Sequence, residues 1–123
     1  MMNLVLIEDD DMLRKSLSFF LTSNKYDVVE FDNGLDAIEY IRINESTIDI
    51  VITDLNLPFA GGKEIVHTTR QLKNQSIKII VLTSFGLESN ELELFDLGAD
   101  EFMSKPFSPA VLLKRIEKLT VNT

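Results

Sequence analysis

The sequence predicts an α/β protein in which helices cover both faces of a doubly wound, five-stranded parallel sheet. Short apolar runs alternate with segments of helical periodicity along the chain, as in successive βα units. The run IIVL at 79–82 is apolar at every position, which is typical of a parallel strand that is buried on both sides. With 123 residues, 45% of them hydrophobic, residues 1–123 are expected to form one domain.

The five predicted strands are short and rich in valine, isoleucine and phenylalanine. They span Leu4–Ile7, Val28–Phe31, Ile50–Thr53, Ile79–Thr83 and Glu101–Met103.

The five predicted helices each follow a capping or turn signal. They span Met12–Ser23, Leu35–Asn44, Gly62–Lys73, Ser89–Leu97 and Pro109–Leu119. The clearest signal is Ser108-Pro109, a serine at the N-cap position followed by proline at the first helical position. Asp10 and Asp11 are expected to cap the first helix or to stabilise its N-terminus by their charge.

The composition excludes several classes of protein. The chain has 20 acidic and 12 basic residues, a net charge of −8, and no lysine and arginine cluster that would bind nucleic acid directly. It has no cysteine, so a disulfide scaffold and a zinc site are not expected. No apolar run approaches the roughly 20 residues of a membrane span, and the N-terminus lacks the basic segment of a signal peptide. A soluble cytoplasmic protein is expected.

Polar side chains follow the predicted strands at the points where they end. Glu8-Asp9 follows the first strand and Asp54 the third, Thr83-Ser84 ends the fourth, and Ser104-Lys105-Pro106 follows the fifth. In a doubly wound sheet the binding crevice lies beyond the carboxyl ends of the strands. If the strand order is 2-1-3-4-5, these four strand ends stand side by side, and three carboxylates, a hydroxyl and one ammonium group would share a single site.

Glu8, Asp9 and Asp54 would repel one another in such a site unless a cation joined them. Carboxylate oxygens at a water-accessible site suit a hard ion such as Mg²⁺. The charges of Mg²⁺ and Lys105 together would balance those of the three carboxylates. The sequence therefore predicts a magnesium site.

Together these residues resemble the receiver domains of two-component response regulators. The matching features are Glu8-Asp9, Asp54 in TDLNLP with Gly62 shortly after it, Thr83, Phe102, and the triplet Lys105-Pro106-Phe107. The resemblance covers essentially the whole chain and implies a flavodoxin-like sheet with strand order 2-1-3-4-5. One departure is Gly61, which stands where the family commonly has an aspartate.

The resemblance implies a magnesium-dependent phosphoacceptor site. Asp54 would accept a phosphoryl group from the phosphohistidine of a histidine kinase. Asp9 and Asp54 would bind Mg²⁺ directly with the backbone carbonyl of Asn56, and Glu8 would reach the ion through water. Lys105 would bind the phosphoryl group.

The resemblance also implies a switch. Thr83 would hydrogen-bond a phosphoryl oxygen, and Phe102 would then turn inward behind it. The bond between Lys105 and Pro106 is expected to be cis, a form that is accessible mainly before proline. The domain would thus be regulatory and not an enzyme.

The output is expected on the surface formed by the fourth helix, the fifth strand and the fifth helix. Receivers of the winged-helix transcription-factor class, which this chain resembles in GADEFMSKPFSP and LLKRI, commonly pair these surfaces around a twofold axis. In that class a DNA-binding domain follows the fifth helix, so the protein is expected to control transcription through such a domain, which would lie outside residues 1–123. A free-standing receiver that acts in a phosphorelay or on a protein partner is the alternative.

The residues on this surface predict an unusual dimer. Glu101 and Arg115 match one ion pair that the resemblance implies, whereas Glu91 and Val111 replace the members of another. On helical spacing, Leu92 and Phe95 are expected to face the core and Leu94 to point outward. We therefore expect phosphorylation to promote an association that is more apolar than usual and depends weakly on salt.

Two other classes that use this kind of sheet fail at named positions. A haloacid-dehalogenase-type phosphatase requires a second aspartate two residues after its nucleophile, where this chain has Asn56. A flavodoxin-type binder requires a phosphate loop after the first strand, where this chain has EDDD. His67, the single histidine, is expected to be solvated, and Phe59 is expected to be exposed.

Overall fold

A computed structural model describes residues 1–84 and 88–121, with the backbone alone described in residues 88–91. The elements are β1 (Asn3–Ile7), α1 (Asp11–Ser23), β2 (Asp27–Phe31), α2 (Gly34–Asn44), β3 (Ile50–Asp54), α3 (Gly62–Arg70), β4 (Lys78–Thr83), α4 (Glu88–Leu97), β5 (Glu101–Ser104) and α5 (Pro109–Thr120). All ten predicted elements are present. The largest difference is at α3, which ends at Arg70 and not at Lys73 because the backbone turns at Gln71 and Leu72.

The five strands form one parallel sheet in the order β2-β1-β3-β4-β5, which confirms the predicted fold class. The strand order reverses between β1 and β3, so the carboxyl ends of these two strands lie side by side at the centre of one edge. This switch point is where a doubly wound sheet binds its ligands. We call this edge the carboxyl edge of the sheet.

Two apolar clusters hold the helices on opposite faces of the sheet. Val5 and Val51 belong to the cluster that includes residues of α2, α3 and α4. Their sequence neighbours Leu4 and Ile50 belong to the cluster that includes residues of α1 and α5. Because successive side chains of a strand point to opposite faces, both sets are buried, and β1 and β3 carry apolar side chains on both faces of the sheet.

The prediction for the faces of α4 is wrong. Leu94 is 1% exposed and belongs to the core, whereas Leu92 and Phe95 are 69% and 48% exposed. The reason is that Leu94 and Leu97 form a second pair at helical spacing, and this pair packs against the sheet. Spacing alone could not distinguish the two pairs.

The loop between β3 and α3 approaches the backbone closely at Gly62. A Cβ atom at this position would lie 2.6 Å from the carbonyl oxygen of Asp54 and 2.8 Å from Cα of Leu55. Only glycine leaves room for this approach, which brings the start of α3 against the end of β3.

Within the described part of the chain, no helix has both the length and the apolar character of a membrane span.

The start of α1 follows the sequence prediction. The side chain of Asp10 caps the helix by accepting a hydrogen bond of 3.1 Å from the amide of Leu13. Asp11 lies in the first turn and forms an ion pair with Arg14. At α5, Ser108 occupies the N-cap position and Pro109 follows at the helix start.

Candidate phosphoacceptor site

The structure brings Glu8, Asp54 and Lys105 into direct contact at the carboxyl edge of the sheet. Glu8 follows β1, Asp54 ends β3 and Lys105 follows β5. The Nζ atom of Lys105 lies 2.5 Å from Oε1 of Glu8 and 3.0 Å from Oδ2 of Asp54. One ammonium group thus bridges two carboxylates from different strands.

The carboxylates of this site differ in their exposure to solvent. Glu8 is 0% and Asp54 5% exposed, whereas Asp9 lies at the surface. Thr83, at the end of β4, is also buried. The site therefore combines two buried carboxylates with one exposed carboxylate.

Burial raises the pKa of the Glu8 carboxyl, and the nearby charge of Asp54 acts in the same direction. Hydrogen bonds from Lys105 and from the amide of Asp10 oppose this rise in pKa without cancelling it. At Lys105, burial by itself would lower the pKa. Hydrogen bonds to Glu8 and Asp54 outweigh burial, so that the pKa of Lys105 rises and the group stays charged.

The donor set fits a hard divalent cation. One carboxylate oxygen from each of Glu8, Asp9 and Asp54 lies within 4.8 Å of the others. Oδ1 of Asp54 is buried and makes no hydrogen bond to any described residue. A buried carboxylate oxygen without a partner is costly, and a cation would satisfy it.

Asn56 lies in the exposed loop two residues after Asp54. The loop is held at both ends, because the amide of Leu55 donates to the carbonyl of Leu82 and the amide of Gly62 donates to the carbonyl of Leu55, each at 2.8 Å. Gly61 is the N-cap residue of α3 and makes no side-chain cap. The loop therefore depends on backbone contacts for its position at the site.

The backbone joins Lys105 to the end of β4. Its amide donates a hydrogen bond of 2.7 Å to the carbonyl of Thr83. The bond between Lys105 and Pro106 is cis, as predicted. Phe102 lies within β5 and is half-buried, and the centroid of its ring is 4.6 Å from the ring centroid of Phe95.

The surface formed by α4, β5 and α5 carries three exposed apolar residues among those described. We define the α4–β5–α5 face by Leu92, Phe95, Glu101, Val111 and Arg115. Val111 is 44% exposed, and Arg115 forms an ion pair of 3.2 Å with Glu101. The sequence predicted this pair across a dimer, whereas in this structure the two residues pair within one chain. The side chain of Glu91 lies outside the described residues.

Two predictions about single side chains are confirmed. His67 lies on the exposed face of α3. Phe59 is 85% exposed, and its φ of 69° places it in the left-handed region, which is uncommon for an aromatic residue.

Sequence reasoning missed Arg14, which lies behind the site. This residue stands on the buried stripe of α1 with Leu17 and Leu21. A charged residue on an apolar stripe requires partners, and this was the signal that could have found it. Arg14 contacts the carbonyl of Glu8, which carries a side chain of the site.

Comparison with known proteins gives a consistent result. A family model described as the response regulator receiver domain matches residues 4–117. Response regulator RR06 of Streptococcus pneumoniae is 33% identical over 96% of this chain and 52% of the relative. Transcriptional regulatory protein SrrA of Staphylococcus aureus is 32% identical over 98% of this chain and 48% of the relative. The chain thus spans about half the length of these curated relatives.

A solved structure, the non-phosphorylated HemR receiver domain from Leptospira biflexa, superimposes with a TM-score of 0.90 at 30% identity. The superposition covers 100% of this chain and 97% of the HemR chain. The similarity therefore extends over the whole domain.

Proposed function

Because the chain belongs to the response regulator receiver domain family, we propose that it is a phosphorylation-activated signalling switch of a two-component system. The observation that carries this proposal is the environment of Asp54. One of its carboxylate oxygens contacts Lys105, and the other is buried without a partner among the described residues. Asp54 thus offers one oxygen without a partner to a cation and holds its other oxygen beside an ammonium group that can bind a phosphoryl group.

In the proposed reaction Asp54 accepts a phosphoryl group from the phosphohistidine of a histidine kinase. A carboxylate oxygen of Asp54 attacks phosphorus, and the phosphorus–nitrogen bond to the imidazole breaks. The electron pair of that bond returns to the imidazole, which takes up a proton, and Asp54 becomes an acyl phosphate. Lys105 remains beside Asp54 and offers its ammonium group to the phosphoryl oxygens.

Asp9, Asp54 and the backbone carbonyl of Asn56 would hold Mg²⁺ directly, and Glu8 would contact it through water. When bound, the ion supplies positive charge that offsets the carboxylates and the phosphoryl oxygens. Glu8 has a second role, because its contact with Lys105 keeps the ammonium group over the site. Asp9 is the exposed member of the three carboxylates and would bind the ion from the solvent side.

A metal-binding test is direct. Mg²⁺ should raise the melting temperature of the protein relative to excess chelator, because the ion binds the folded state alone. Asp9→Asn should weaken this stabilisation. Asp27→Asn is a matched control, because Asp27 is an exposed aspartate at the opposite edge of the sheet. Equal melting of the wild type with Mg²⁺ and with chelator would refute the metal assignment.

The switch we propose runs from Thr83 to Phe102. Thr83 would move toward the phosphoryl group and vacate space that Phe102 can fill. The present packing of Phe102 on the ring of Phe95 supports this step, because a movement of Phe102 necessarily alters the α4–β5–α5 face.

We further propose that the α4–β5–α5 face associates with a second copy of itself on phosphorylation. Leu92, Phe95 and Val111 supply exposed apolar area. Arg115 and Glu101 already pair within one chain, so they gain little by pairing across an interface. The association would therefore depend on apolar contact more than on ion pairs.

The whole protein is proposed to control transcription from the cytoplasm. Support comes from SrrA, whose name describes a transcriptional regulatory protein and of which this chain matches about half. The net charge of −8 argues against direct nucleic-acid binding by this domain. A strictly monomeric phosphorylated form would favour the alternative of a free-standing receiver.

The decisive experiment is phosphorylation by acetyl phosphate with Mg²⁺, followed by intact-mass spectrometry. We expect one acid-stable, base-labile phosphoryl group, which Asp54→Asn abolishes. Asp32→Asn, an exposed aspartate that follows β2 at the carboxyl edge, is the matched control and should be phosphorylated like the wild type. The same adduct on Asp54→Asn would move the site elsewhere. Beryllofluoride should bind with Mg²⁺ at Asp54, which a flavin-binding function does not predict.

A further inference from the structure

The guanidinium group of Arg14 lies behind the acidic site and is nearly buried, with the residue 8% exposed. Its Nη1 atom donates to the carbonyl of Glu8 at 2.8 Å. Its Nε atom donates to Glu30 at 3.2 Å, and its Nη2 atom donates to Asp11 at 2.7 Å. Arg14 thus connects α1, the end of β2 and the residue that follows β1.

The contact with Glu8 bears directly on the site. One peptide group joins Glu8 to Asp9, and these two residues supply two of the three clustered carboxylates. The carbonyl of this peptide group is fixed by Arg14, and the amide of Glu8 is fixed by the carbonyl of Phe31 at 3.0 Å. The directions of both carboxylates follow from the orientation of this backbone, so an anchor here acts on both.

The geometry points to Arg14 as a positioning residue that holds the backbone of Glu8 and Asp9 in the orientation that cation binding requires. This inference rests on the proposed function, since the cation is the Mg²⁺ proposed for this site. Groups that orient the ligands of a metal typically change its affinity by about 10- to 100-fold when they are removed.

Electrostatics alone predicts the opposite sign. Arg14 is a cation close to the site, and removal of a positive charge should strengthen the binding of another cation. Positioning predicts weaker binding when Arg14 is lost. The direction of the change in Mg²⁺ affinity therefore distinguishes the two roles.

A matched control is provided by Arg70, which makes the same kinds of contact at the opposite edge of the sheet. It donates to the carbonyls of Gly98 and Ile77 and to the carboxylate of Asp100, at 2.9, 2.7 and 2.8 Å. Loss of Arg70 should lower stability by a comparable mechanism without touching the acidic site. A general loss of structure would weaken Mg²⁺ binding in variants of both residues, whereas loss of positioning would weaken it in variants of Arg14 alone.

In the experiment each protein is titrated with Mg²⁺ alone, and calorimetry measures the binding. Thermal melting in chelator checks that each variant is folded. We expect Arg14→Met to weaken Mg²⁺ binding about tenfold. Arg70→Met should bind Mg²⁺ like the wild type although its melting temperature falls. Arg14→Lys keeps the charge but not the planar fork of donors, so it should restore part of the affinity, and it serves as the test if Arg14→Met does not fold.

Three results would overturn the inference. The first is that Arg14→Met or Arg14→Lys binds Mg²⁺ at least as tightly as the wild type. The second is that Arg70→Met loses as much Mg²⁺ affinity as Arg14→Met. The third is that the wild type binds no Mg²⁺. The last result would refute the metal site of the proposed function itself. The first two leave that function intact and refute the role of Arg14 alone.

Discussion

The Nζ atom of Lys105 lies 3.0 Å from Oδ2 of Asp54, although 51 residues separate the two in the chain and β4 lies between their strands. The same ammonium group contacts Glu8, 97 residues away. Lys105 therefore occupies the space around the two buried carboxylates in the unphosphorylated protein. It competes there with any cation that approaches the same oxygens.

This competition predicts the behaviour of Lys105→Met. Mg²⁺ should bind this variant more tightly than the wild type, because one positive charge has left the site and two carboxylates have lost their partner. The conformational response to beryllofluoride should be lost, because no ammonium group remains to contact the added ligand. Calorimetry measures the affinity for Mg²⁺. The fluorescence or amide spectra of the protein measure the conformational response to beryllofluoride. An undiminished response to beryllofluoride would remove Lys105 from the mechanism.

The glycine pair at the start of α3, Gly61 and Gly62, gives a prediction about stability. Gly62→Ala should lower the free energy of unfolding by about 1–3 kcal/mol, because the added Cβ would overlap the backbone of Asp54 and Leu55. Phosphorylation should also slow, because the end of β3 must shift. Gly61→Ala is the neighbouring control, since its Cβ would meet one backbone atom at 3.3 Å. Urea unfolding compares the two, and equal losses of stability would contradict the argument.

Tyr26 predicts a change of stability in alkaline solution. Burial raises the pKa of its phenol, and the charge of Glu117 adds to the rise. Because the pKa is higher in the folded state, this group contributes stability that is fully present below its ordinary pKa of about 10 and is lost as the pH rises through the folded value. The wild type should therefore lose stability relative to Tyr26→Phe as the pH rises above about 10.

Urea unfolding at several pH values measures this difference. Glu117→Gln provides a second check. It removes one cause of the raised pKa and should therefore lower the pKa of Tyr26. Titration of the phenol, monitored by ultraviolet absorbance, measures this pKa. A stability difference between wild type and Tyr26→Phe that did not change with pH would contradict the prediction.

The association through the α4–β5–α5 face predicts a specific variant effect. Leu92→Ser should weaken self-association of the beryllofluoride-bound protein, because Leu92 is 69% exposed on this face. Phe19→Ser is the control, since Phe19 is an equally exposed apolar residue, at 76%, on α1. Sedimentation at about 0.1 M and about 1 M salt should give similar association constants, because screening acts on charges and not on apolar contact. A dimer that dissociates at moderate salt would establish that ion pairs dominate.

The sequence by itself determined the fold class and the set of residues at the carboxyl edge. Apolar runs of strand length such as Ile79–Thr83 alternate with helical segments, and this local pattern is sufficient to specify βα units. Residues that follow a strand, such as Asp54 and Lys105, lie at the carboxyl edge wherever that strand stands in the sheet. Both conclusions depend on neighbouring residues alone, which is why they could be drawn before the structure was known.

Only the tertiary structure decided which of these groups touch and which helix faces are buried. The contact of Lys105 with Glu8 and Asp54 depends on strand order, since it joins the residues that follow β1 and β5 to the last residue of β3. The buried face of α4 depends on what the sheet presents to it, because two apolar pairs fit the helical period equally well. Arg14 of α1 is buried because Glu30 of β2 and the backbone of Glu8, which follows β1, both contact it. Contacts between segments that are distant in the chain have no signature in either segment alone, and packing therefore decides them.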